Sequence, residues 1–175
     1  MNVEHKPIKL LKGEIVMFQK QNYEGTSEEK YVALSKQLNA LLTGETDRIA
    51  NLSNAAALLN QFLDEVNWVG FYLMKGEELV LGPFQGLPAC VRIPKGKGVC
   101  GTVAEKQVTL RVQDVHQFPG HIACSSLSQS EIVVPVFKDG KVVAVLDVDS
   151  EELNTFDEID QHYLEIICAC ISTYF

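Results

Sequence analysis

The chain has 175 residues, 46% of them hydrophobic and 22% charged, with a formal net charge of -8. A length of this order suits one domain that buries roughly 70% of its unfolded surface, and the composition is that of a globular protein rather than a disordered one. The negative charge, with no Lys/Arg stripe interleaved with aromatics, opposes the approach of a phosphate backbone, so no nucleic acid is expected as partner. No apolar run approaches the ~20 residues that span a bilayer, so no membrane segment is expected either.

The N-terminus MNVEHKPIKLLKGEIVMFQKQ has no apolar core behind a basic start and does not read as a secretory signal. Residues 1–25 show no sustained periodicity and are expected to form an extension, with a single domain over 26–175. From Thr26, capping-box spacing to Glu29 and a stripe of Tyr31, Leu34, Leu38 and Leu41 ending at Gly44 predict an amphipathic helix. A second helix starts at about Thr46, with Ile49, Leu52, Ala56, Leu59 and Leu63 on one stripe. Then the period changes: NWVGFYLM and EELVLG, broken at Lys75-Gly76, read as a hairpin, and PACVRI as a third strand. GKGVCGTVAEKQ reads as a glycine-rich turn opening a short helix, VTLRV as an extended piece and QDVHQFPG as a loop. Two apolar runs around Asp139-Gly140 carry the strongest hairpin signal in the chain. Thr155 and Glu158 have capping-box spacing before a final helix striped by Phe156, Ile159, Tyr163, Ile166, Ile167 and Cys170. Strands in the middle and helices at both ends predict an α+β fold, an antiparallel sheet with helices packed on one face.

Five cysteines, Cys90, Cys100, Cys124, Cys168 and Cys170, with no secretory signal point to a reducing, cytoplasmic setting, and their odd number argues against a fully paired framework. No CxxC occurs. A zinc site from Cys90, Cys100, Cys124 and a histidine is disfavoured, because structural zinc sites have closely spaced ligand pairs, so no metal or other cofactor is expected. A reactive cysteine needs a helix N-terminus or a cation to stabilise its thiolate. Cys100 has the first turn of a helix, and Cys124 has His116 and His121 as cationic neighbours. The two compete on local physics, and a packed thiol is the alternative for either. Cys90 opens a strand, whereas Cys168 and Cys170 lie in the last helix and read as packing.

Asp147 and Asp149, two apart on a strand, share one face. A two-residue loop at Asp139-Gly140 turns Glu131 away from them, and a three-residue loop sets Glu131 opposite Asp147; the three-residue loop is the expectation. In NWVGFY, Trp68, Gly70 and Tyr72 share a face, and the glycine gap between indole and phenol suits a small apolar group.

The ordered set NWVGFYL, GPFQGLPACVRI, GKGVCGTVA, DVHQFPGHIAC, SEIVVPV and VLDVDS resembles the free methionine-(R)-sulfoxide reductases, a branch of the GAF-domain proteins, from about Thr46 to the C-terminus. The resemblance implies a GAF fold, with a sheet of about six strands and a loop-covered pocket. It also implies reduction of free methionine (R)-sulfoxide, with thioredoxin as electron donor and a homodimer as the assembly. Carried over by residue, Cys124 is the nucleophile, Cys90 the resolving cysteine and Cys100 the third thiol. Glu131, Asp147 and Asp149 are the substrate-binding carboxylates, and Trp68 and Tyr72 the aromatic wall. Ser125 departs from the family, which commonly has an acidic residue there. The competing reading of such a fold is a non-enzymatic small-molecule or redox sensor, which as a pure binder would consume no thiols.

Overall fold

The computed structural model describes residues 21–122 and 125–175. Helices α1 (Ser27–Leu42) and α2 (Arg48–Phe62) are followed by strands β1 (Val66–Lys75), β2 (Glu78–Gly86) and β3 (Arg92–Pro94). Helix α3 (Gly98–Lys106) and strand β4 (Leu110–Val112) precede the long hairpin β5 (Ser130–Lys138) and β6 (Lys141–Ser150), and α4 (Glu158–Ile171) closes the order. All six strands form one antiparallel sheet in the order β3-β2-β1-β6-β5-β4. The expected α+β class is therefore found, with the N- and C-terminal helices together on one face. Val69, Phe71 and Leu73 of β1, Ile132, Val134 and Val136 of β5, and Ala144, Leu146 and Val148 of β6 pack there on the apolar stripes of α1, α2 and α4. The other face carries α3, with Trp68, Tyr72, Val133 and Val145 set against Val99, Cys100, Val103 and Ala104.

Local signals place the helix starts with one exception. Thr26 and Glu29 form the reciprocal capping box that the spacing predicts. α2 is capped by Asp47, whose side chain accepts from the amide of Ala50, and its first apolar residue, Ile49, is exposed. The cap of α4 differs from the expectation: Asp157 and Asp160 form the box, not Thr155 and Glu158. The Thr155 hydroxyl is engaged elsewhere, 2.7 Å from Ser150 Oγ and 3.2 Å from the carbonyl of Glu152.

The β5–β6 loop also differs from the expectation, with a consequence for the site. Lys138 pairs with Lys141, so the loop has two residues, Asp139 and Gly140. Both have positive φ, 50° and 73°, as a type I′ turn requires. Continued without interruption, that pairing would set Glu131 against Val148, on the helix face. The register shifts instead between Val136 and Phe137, where Phe137 pairs with Val142 and Val136 with Ala144. The extra residue, Val143, is a β-bulge, and it restores the parity that the short turn removes. Glu131 therefore stands opposite Asp149, not Asp147, and on the same face as both aspartates.

Candidate functional site

Two rows of residues cross the centre of the α3 face. Trp68 of β1, Asp149 of β6 and Glu131 of β5 form one row, and Gly70, Asp147 and Val133 the next. Glu131 and Asp147 are only 6% and 7% exposed, and Asp149 is half-buried. Among the described residues no Lys or Arg forms an ion pair with any of the three carboxyls. Burial and mutual repulsion push the Glu131 and Asp149 carboxyls well above the usual range. Burial also pushes Asp147 up, to about 6, against hydrogen bonding from Cys100 and Glu131 that favours its charged form. Asp147 Oδ1 has no hydrogen-bond partner.

Cys100 belongs to this cluster. Its Sγ lies 3.9 Å from Glu131 Oε1, at the first turn of α3. The expectation that helix amides would favour its thiolate is corrected by the tertiary environment: burial, with Asp147 and Glu131 alongside, raises the thiol well above its ordinary value. A fully buried thiol facing carboxyls stays protonated, whatever the partial charge of a nine-residue helix offers. Cys90 is half-buried and disulfide-bonded. Cys124 lies outside the described residues. Cys168 is on the core-facing side of α4 and buried, and Cys170, on the same helix, is half-buried; both are free thiols raised by burial, as packing residues would be.

Trp68 and Tyr72 are almost wholly buried yet form the wall of a hollow. The indole donates from Nε1 to the carbonyl of Leu87 at 3.0 Å, and the Tyr72 hydroxyl donates to the carbonyl of Cys90 at 2.9 Å. The two aromatics thus hold the segment from Leu87 to Cys90 over the sheet. The hollow has a volume of about 200 Å³ and lies among Trp68, Tyr72, Leu87, Pro88, Asp147 and Asp149. This is below the ~300–1,000 Å³ of drug-sized sites and suits a small metabolite. A smaller recess of about 30 Å³ adjoins it through Ser125, Asp147 and Asp149 and reaches Cys100, His121 and Glu131.

The glycine gap in NWVGFY does not receive a ligand. A Cβ on Gly70 would lie 2.5 Å from the Trp68 ring and 2.4 Å from Phe84 Cβ. The gap is filled by the indole itself, which stacks on Phe84 at 5.3 Å and on Tyr72 at 5.9 Å. Gly70→Ala is expected to destabilise the fold by about 1–3 kcal/mol through overpacking and to change the Trp68 fluorescence, which urea unfolding followed by emission will read.

His121 stands beside Glu131, with Nε2 4.0 Å from Oε2. Its expected cationic role is not supported: burial, and then the charge of His116, lowers its pKa and favours neutral imidazole. Sequence reasoning missed Asn67, Leu87 and Pro88 as lining residues. Leu87 and Pro88 are signalled only by the GLP turn after β2, and Asn67 only by its place beside Trp68 on β1; neither signal indicates which way the side chains face. As a donor set for a metal, Cys100, Glu131 and Asp147 have ligand atoms within 4.8 Å of one another.

The GAF-domain family pattern matches residues 50–174. The chain belongs to the GAF-domain family that includes the free methionine-R-sulfoxide reductases. It is 58% identical over 150 residues to protein YtsP of Bacillus subtilis, covering 85% of this chain and 92% of that one. It is 48% identical over 141 residues to the free methionine-R-sulfoxide reductase of Escherichia coli, covering 81% and 86%. Among solved structures, the free methionine-R-sulfoxide reductase of Neisseria meningitidis in complex with its substrate superposes with a TM-score of 0.86 at 46% identity, over 91% of this chain and 96% of that one. Among the described residues no helix is long and apolar enough to cross a membrane.

Proposed function

We propose that this member of the family reduces free methionine (R)-sulfoxide to methionine through a thiol and disulfide cycle. The observation that carries the reading is the cluster of Glu131, Asp147 and Asp149 carboxyls, with no Lys or Arg paired to it among the described residues, beside a small hollow walled by Tyr72, whose hydroxyl holds the carbonyl of disulfide-bonded Cys90. Such a site lacks a positive charge, and an amino-acid ammonium supplies one. The sulfoxide end meets carboxyls whose raised pKa values keep protons available for donation near neutral pH.

The cycle begins with the Cys124 thiolate attacking the sulfoxide sulfur while a carboxylic acid of the Glu131, Asp147 and Asp149 set protonates the oxygen. Methionine leaves, and the oxygen remains on Cys124 as a sulfenic acid. The Cys90 thiol condenses with it, forming the Cys124–Cys90 disulfide and releasing water. A dithiol reductant, thioredoxin, then returns both sulfurs to thiols by exchange, itself becoming a disulfide. Support for this pairing comes from Cys90 being disulfide-bonded while Cys100, Cys168 and Cys170 are free. Trp68 and Tyr72 face the substrate and hold the Cys90 segment through their hydrogen bonds. Thioredoxin as donor and a homodimer as the working assembly are carried over from the family resemblance.

An assay with thioredoxin, comparing free methionine (R)-sulfoxide, its (S) epimer and a peptide-bound sulfoxide, tests the reading. Turnover of the free (R) epimer, at least about tenfold above the others, is expected, since a missing contact of ~1.4 kcal/mol already gives that factor. Binding of the free (R) epimer without loss of thiols would assign a sensor instead.

A further inference from the structure

We infer that Cys100, Glu131 and Asp147 form a binding site for one borderline divalent cation of the Zn²⁺ type. The three donor atoms lie within 4.8 Å of one another, and all three residues are buried. They come from three different elements, α3, β5 and β6, so the tertiary fold assembles the set and no sequence spacing announces it. A second, independent observation points to a ligand: Asp147 Oδ1 is buried without a hydrogen-bond partner, although Asp147 lines both the hollow and its recess. A buried carboxylate oxygen left unpaired normally costs free energy, and a cation satisfies it.

The chemistry of the donors selects the metal class. One thiol sulfur with two carboxylate oxygens is too soft for Mg²⁺ or Ca²⁺, which take oxygen ligands, and suits Zn²⁺ or Co²⁺. Tetrahedral zinc, with sulfur near 2.3 Å and oxygen near 2.0–2.2 Å, separates its ligand atoms by about 3.3–3.7 Å. The Cys100 Sγ to Glu131 Oε1 distance of 3.9 Å nearly meets this. No pair in the set is more than 4.8 Å apart, so closing on the metal needs a contraction of at most about 1 Å. His121, with Nε2 4.0 Å from Glu131 Oε2, adjoins the set as a fourth donor, and neutral imidazole is the form that ligates. Binding displaces the thiol proton, and any proton held by the two carboxyls, to solvent. Metal and substrate ammonium then compete for the same carboxyls, a consequence that rests on the reading of the previous section.

Cobalt titration tests the site in the oxidised protein, where Cys90 is disulfide-bonded and Cys100 is a free thiol. One equivalent of Co²⁺ is expected to give a near-ultraviolet sulfur-to-cobalt band with visible d–d absorption of tetrahedral intensity, and Zn²⁺ is expected to remove both. Cys100→Ser should abolish the sulfur band and Cys170→Ser should keep it. Glu131→Gln, which retains the thiol, should weaken Co²⁺ at least tenfold and decides the matter if circular dichroism shows Cys100→Ser unfolded. Absence of the band in the unaltered protein, its persistence in Cys100→Ser, or unchanged affinity in Glu131→Gln overturns the site. None of these readouts depends on turnover, so failure of the reductase reading is recognised separately.

Discussion

Cys124→Ser is expected to lower reduction of free methionine (R)-sulfoxide by about 10³-fold or more, the scale on which loss of a covalent nucleophile acts, even in a single turnover. Cys90→Ser should still form one equivalent of methionine and then stop, because its sulfenic acid lacks a partner. Cys100→Ser should retain single-turnover chemistry, since a buried thiol raised by neighbouring carboxyls is protonated and a thiol is a poor nucleophile. Rapid-quench measurement of methionine formed per enzyme separates the three. Activity kept in Cys124→Ser and lost in Cys100→Ser would reverse the roles.

Asp147→Asn should raise stability and lower activity together. Burial lifts the Asp147 carboxyl from 3.8 to about 6. Between those pH values the folded chain holds more protons than the unfolded one, so stability is fully present below about pH 4 and is lost as pH rises through about 6. A shift of about two units corresponds to roughly 3 kcal/mol as an upper bound. With a chelator present, Asp147→Asn is expected to raise Tm by about 3–10 °C at pH 8 and to change it little at pH 4, while KM for the sulfoxide rises at least tenfold. Glu131 and Asp149 are shifted in the same direction, so part of the pH slope should survive in the variant. A lower Tm for Asp147→Asn at pH 8 would show that Asp147 is held by attractive partners and carries no burial penalty.

Both expectations concern a site whose residues are separated along the chain but meet through the sheet. Helix and hairpin signals are legible where they are local: the Thr26–Glu29 box closes within one turn, and Asp139-Gly140 marks the β5–β6 hairpin, though not its loop length or register. The α4 cap was misassigned for a reason that is not local. Thr155 is drawn to Ser150, a contact made only once β6 and the loop after it are in place.

The order of motifs determined the family. The period-2 pattern set Asp147 and Asp149 on one face, because side chains two apart on a strand always share one. Only the tertiary structure decided that Glu131 joins them, since the bulge at Val143 reverses the parity that the turn alone imposes. It also decided the state of Cys100 and the filling of the Gly70 gap. A pKa depends on which charges and how much water surround a group, and space beside a glycine depends on which ring folds over it. Neither quantity is a property of neighbours in sequence; both arise when distant segments pack.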